Sequence, residues 1–82
     1  MTFGNRWRRP DERRAELRRF GERIREHRRL VGMTQERLAE LLDVSVAYVS
    51  LIERGGRNPP YTTVVAIARA LGVPPSRIVV DD

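Results

Sequence analysis

Residues 1–9 (MTFGNRWRR) show no hydrophobic period, and Phe3 and Trp7 stand there among cations, so this stretch is expected to be an arm. Periodicity begins after Pro10, a residue suited to the first turn of a helix. Asp11 and Glu12 follow it, where negative charge suits the positive end of the helix dipole. Leu17, Phe20, Ile24 and Val31 then recur at helical spacing, which predicts one buried face on a helix running to about Leu30. Gly21 lies inside this run and costs roughly 1 kcal/mol relative to Ala. A break near Phe20 is therefore an alternative, and Gly32 is the expected stop.

Thr34 offers an N-cap oxygen to the next segment, in which Leu38, Ala39, Leu41 and Leu42 form an apolar stripe ending at Asp43. Ser45 is the following N-cap. It opens a helix whose Tyr48, Val49 and Ile52 repeat until Gly55 and Gly56 end it. Only Asp43, Val44 and the cap separate these two helices, so they must cross steeply, with Val44 turned inward to fill the elbow. Arg57, Asn58, Pro59 and Pro60 make a loop. Val64, Ile67, Ala68 and Leu71 mark the buried face of another helix, which ends at Gly72. Pro74, Pro75 and Ser76 start a last short turn carrying Ile78 and Val79. No stretch alternates with period two for long enough to make a strand. The expected fold is all-α and compact, with five helices. Residues 1–15 form a basic N-terminal arm or helix extension, and residues 16–82 form the domain.

A chain of 82 residues has room for one small core. Apolar residues make up 40% and charged residues 33%, a balance that favours folding over disorder. There is no Cys and one His, which excludes disulfide scaffolds, structural zinc and thiol chemistry. No apolar run is long enough for a membrane span or a secretory signal, so the cytoplasm is the expected compartment. Nothing gathers acids, or glycines around a phosphate, to supply a nucleophile, base or metal site, and His27 lies in an arginine-rich stretch. An enzyme is not expected, and no cofactor or metal is assigned.

Charge changes the picture more. The net charge of +5 conceals an asymmetry: residues 1–30 carry eleven arginines against five acids, giving +6, and residues 31–82 sum to −1. Every one of the 16 cations is Arg, whose fork suits bidentate phosphate contacts; a GC-rich coding bias explains the same composition. A basic arm on a near-neutral body points to a polyanion, nucleic acid first and an anionic membrane surface second. The plain alternative is a solvated charged helix. Among the arginines, Arg14 and Arg18 are the candidate phosphate contacts.

From Phe20 to Ile78 the chain resembles the phage-repressor and Cro type of helix-turn-helix domain, the lambda-repressor-like XRE family. The resemblance is carried by Phe20, Ile24 and Arg28, by Met33-Thr34-Gln35-Glu36 with Leu38-Ala39, and by the Val44-Ser45 turn. It continues through Tyr48-Val49-Ser50, Ile52-Glu53-Arg54-Gly55, Arg57-Asn58-Pro59, and Ala68 to Val73. The resemblance implies a helix-turn-helix motif at about residues 34–54, with the helix starting at Ser45 set in the major groove of double-stranded DNA. It implies that Val46, Ala47, Ser50 and Leu51 face the bases. Thr34 and Gln35 would meet phosphate at a helix start, and Tyr48, Arg57 and Asn58 would hold the DNA backbone. It also pairs Arg28 with Glu53 in a partly buried salt bridge, and it implies a homodimer joined near the last helices through Ile78, Val79 and Val80.

Two positions depart from the family pattern. Val46 and Leu51 stand where relatives more often carry Gln, Arg, Lys or Ser, which leaves thymine methyls and Ser50 as the direct readout available. Asp43 stands where Gly usually adopts a left-handed conformation, which Asp tolerates better than most residues. The expected function is a sequence-specific transcriptional regulator, a repressor or controller. The alternative is a protein-interaction module, antitoxin-like or a regulatory partner, that uses the apolar third helix or the arginine-rich first.

Overall fold

A computed structural model describes residues 9–79. The helix α1 spans Pro10–Leu30, α2 spans Gln35–Leu42, α3 spans Val46–Glu53 and α4 spans Tyr61–Leu71. A single 3-10 turn, Pro75–Arg77, follows. Local chemistry explains most of the boundaries. At the head of α1 the Glu12 carboxylate accepts from the Arg9 backbone N–H at 2.9 Å. At its tail His27, Arg28 and Arg29 place positive charge against the negative end of the dipole. The Thr34 hydroxyl accepts from the Arg37 N–H at 3.0 Å, and the Ser45 hydroxyl accepts from the Tyr48 N–H at the same distance. Each cap satisfies a backbone donor that the first helical turn leaves without a partner.

Four α-helices and one 3-10 turn replace the five helices expected. Prolines at 74 and 75 start the last element, but it runs for only three residues before Ile78 leaves it for the core. No break occurs near Phe20: α1 passes through Gly21 as one helix of 21 residues. At 1.5 Å per residue it is about 31 Å long. Residues 10–15 are the first turns of α1, whereas Phe3, Trp7 and Val80 lie outside the described residues.

Phe20 and Ile24 from α1 meet Leu38 and Ala39 from α2, Val49 and Ile52 from α3, and Ile67, Ala68 and Leu71 from α4. Ile78 closes this cluster and is fully buried. Val44 packs against it from the turn, as the short link requires. Two expected core positions are exposed instead. Val31 caps α1 outside the helix, so its place on the buried face is taken by Arg28, and Leu41 turns to solvent while Leu38 and Ala39 face inward.

Candidate nucleic-acid interface

The turn from α2 to α3 consists of Asp43, Val44 and Ser45. Asp43 takes the left-handed conformation, φ 58° and ψ 47°, and the Val44 N–H reaches back to the Ala39 carbonyl at 3.0 Å. Asp is among the few residues other than Gly that enter this region routinely, so the departure from Gly at this position preserves the turn. With Val49 and Ile52 anchored in the core, the opposite side of α3 is left facing out. Val46 and Ala47 are exposed at its N-terminal end, while Ser50 and Leu51 are half-buried behind them.

A buried carboxylate fixes the other end of α3. Glu53 accepts from Arg28 Nε at 2.6 Å and from Arg28 Nη2 at 3.1 Å, a bidentate pair from α1. Gln35 of α2 donates its amide to the same carboxylate at 2.9 Å, and Arg25 Nε lies 3.8 Å away. Arg28 also donates Nη1 to the Met33 carbonyl at 2.8 Å, tying the α1–α2 link to the same point. The Glu53 hydrogen bond holds the Arg28 guanidinium above its ordinary pKa against the opposing pull of burial. Three helices are thus pinned at one carboxylate, which sets how far and at what angle α3 projects.

Backbone packing adds to this pin. Gly21 of α1 lies directly against the last turn of α3, where a Cβ would meet the carbonyl oxygens of Ile52 and Glu53. Gly55, at φ 81°, lies against the backbone of Arg18. By helix propensity alone Gly21 is only a weak point in α1. A glycine in the middle of an otherwise helical pattern was the available sign of close approach.

The expected contact residues fall into three groups. Val46, Ala47, Ser50 and Leu51 share the outward side of α3. Thr34 and Gln35 lie at the start of α2, but the Gln35 amide nitrogen is engaged by Glu53, which leaves the backbone N–H groups of that helix end as its outward donors. Arg57 and Asn58 are exposed in the loop after α3, and Tyr48 is half-buried against the core. Arg14 lines one groove with Asn58, and Arg18 packs on Gly55, so the arginine face of α1 borders that loop. This groove, of about 540 Å³, also takes in Leu17, Phe20, Pro59, Val64 and Val79, and sequence reading had not found it. Among the described residues no cluster of His, Cys, Asp or Glu gathers to hold a metal ion, and no helix is long and apolar enough to cross a membrane.

Comparison with known proteins places this geometry. The profile of the HTH_3 family, described as helix-turn-helix, matches residues 24–78. An uncharacterized HTH-type transcriptional regulator of Methanothermobacter thermautotrophicus is 45% identical over 49 residues, covering 60% of this chain and 71% of that protein. Control protein C.BamHI of Bacillus amyloliquefaciens is 42% identical over 57 residues, covering 68% and 70%. The crystal structure of the restriction-modification controller protein C.AhdI from Aeromonas hydrophila superposes with a TM-score of 0.75 at 39% identity, over 78% of this chain and 97% of that one. The matched span holds the pinned pair of helices and their short turn, and the chain belongs to the helix-turn-helix family.

Proposed function

We propose that this DNA-binding transcriptional regulator acts as a homodimeric repressor or controller, with α3 lying in the major groove of double-stranded DNA. The observation that carries this reading is the exposed N-terminal end of α3, held out from the body by a three-residue turn on one side and the buried Glu53 pin on the other. A helix held that way presents a few side chains to base edges while its neighbours meet phosphates. Val46, Ala47, Ser50 and Leu51 are assigned to the bases. Thr34, Gln35 through its backbone N–H, Tyr48, Arg57, Asn58, Arg14 and Arg18 are assigned to the backbone. Such a protein works in the cytoplasm on the nucleoid and carries no catalytic role.

Titration of a labelled duplex at several salt concentrations tests the assignment. Each phosphate contact contributes about 0.9 to the slope of log affinity against log salt. The paired substitution Arg14→Gln and Arg18→Gln should therefore flatten that slope by up to about 1.8. A slope equal to that of the parent removes both arginines from the interface.

The dimer surface differs from the one first expected, because Ile78 is buried in its own core and has nothing to offer a partner. Tyr61 is 79% exposed and Val79 53%. Tyr61 and Val64 are three residues apart on α4 and so share a face, and Val64 and Val79 line one groove, so together they make a continuous apolar edge. Sedimentation should show a dimer that Tyr61→Glu converts to a monomer. A parent chain that sediments as a monomer both free and on DNA overturns the homodimer. The exposed apolar end of α3 favours one second reading, a protein-docking helix; a chain that binds no duplex at low salt would bring it forward.

A further inference from the structure

On the reading that α3 enters the major groove, we propose that the protein recognises methyl groups there: Val46 and Ala47 read the 5-methyl of thymine, and for the same reason accept 5-methylcytosine. Most polar groups of α3 and its caps are engaged within the protein. The Ser45 hydroxyl oxygen accepts from the Tyr48 N–H as the helix cap, which leaves its proton as the one donor at this end. Glu53 is buried under Arg28 and Gln35. The Arg54 side chain folds back along its own helix, with Nε donating to the Ser50 carbonyl at 3.3 Å. Tyr48 packs against the core. What stands at the exposed N-terminal end is Val46, 37% exposed, beside the Ala47 methyl, with the half-buried Ser50 hydroxyl one turn behind.

Reading guanine, adenine or cytosine in the major groove takes donors and acceptors matched to their edges, and Val and Ala have none. The base feature that an apolar side chain can match is a methyl at C5 of a pyrimidine. Guanine O6 and N7 set against Val46 would lose water without gaining a partner, so the same surface that attracts a methyl rejects guanine. Thymine and 5-methylcytosine carry that methyl in the same place, whereas unmodified cytosine lacks it. The site therefore distinguishes methylated from unmethylated cytosine without a dedicated pocket. Removing one buried methyl should weaken binding about fourfold, and two such contacts give more than tenfold.

The experiment starts from the tightest duplex that the full chain selects out of a random library. That duplex is remade with deoxyuridine for thymidine, a change that deletes only the methyls. The thymine positions that respond are then changed to cytosine and to 5-methylcytosine. The expected result is an affinity loss of about fourfold per contacted methyl, deeper loss with cytosine, and partial recovery with 5-methylcytosine. The Val46→Ser variant alters an exposed first-turn position, so it should fold as the parent does and bind thymidine and deoxyuridine duplexes with nearly equal affinity. Equal parent affinity for the two duplexes, with sequence selectivity intact, overturns methyl readout and leaves the DNA-binding reading standing. Failure to enrich or bind any duplex overturns both. A Val46→Ser variant that keeps the full thymidine preference overturns the role of Val46.

Discussion

Replacing Glu53 by Ala should lower folding stability by about 3–5 kcal/mol, because it leaves the Arg28 guanidinium buried without a counter-charge. The Glu53 side chain is wholly inaccessible and that of Arg28 nearly so. The substitution also strands the Gln35 amide that shares the carboxylate. A domain of this size has a total stability on the order of 4–12 kcal/mol, so the substitution removes about a quarter of it or more. Joint replacement by apolar groups, Arg28→Met with Glu53→Leu, should cost far less than Glu53→Ala alone, since no charge then remains to be desolvated. Urea titration of the parent, single and double variants reads both numbers. A single substitution costing under about 1 kcal/mol would mean that the pair does not hold α3 in place. If the double variant recovers stability yet binds DNA poorly, the pair serves the aim of α3 more than the strength of the fold.

The substitution Gly21→Ala should destabilise the protein even though Ala is the better helix former. Ala gains about 1 kcal/mol in a helix interior. Its Cβ, however, would lie 2.5 Å from the Glu53 carbonyl oxygen and 2.7 Å from the Glu53 carbonyl carbon, with the Ile52 carbonyl oxygen closer still. These are backbone atoms, which no rotamer change can clear, so α1 and α3 must separate. Overpacking of this kind costs about 1–3 kcal/mol and occasionally more. The separation also shifts α3, the helix proposed to enter the major groove, so affinity should fall further than the loss of folded protein explains. At the neighbouring exposed Glu22, substitution by Ala should stay within about 0.5 kcal/mol. A melting temperature for Gly21→Ala at or above that of the parent would show that the two helices have room to spare.

Both expected effects arise where helices cross, and there the amino-acid sequence says least. Caps, stops and short links were legible because each depends on a few neighbouring residues. Thr34 and Ser45 cap the helices they were expected to cap, Gly72 ends α4, and Val44 fills the elbow. The apolar side of α3 was legible too, since eight residues of known period leave only one way to divide core from surface.

Periodicity gave less at helix ends and across the interior. Val31 fitted the α1 stripe by spacing, yet the helix stops before it, and Arg28 is buried in that region because a carboxylate from another helix awaits it. Leu41 extended the α2 stripe beyond the width its neighbours can cover. Ile78 read as a free apolar end, although the core had one place left for it. Gln35 read as a group turned to solvent or phosphate, yet Glu53 draws its amide inward.

The sequence by itself determined the helices, the three-residue turn and which side of α3 is apolar, because backbone hydrogen bonding and side-chain period act over a few residues. Only the tertiary structure decided that Glu53 gathers Arg28 and Gln35, that Gly21 must lack a Cβ, and that Arg14 and Arg18 border the loop after α3. Those facts depend on the angle and distance at which distant segments cross. These follow from how all the side chains fill one volume at once.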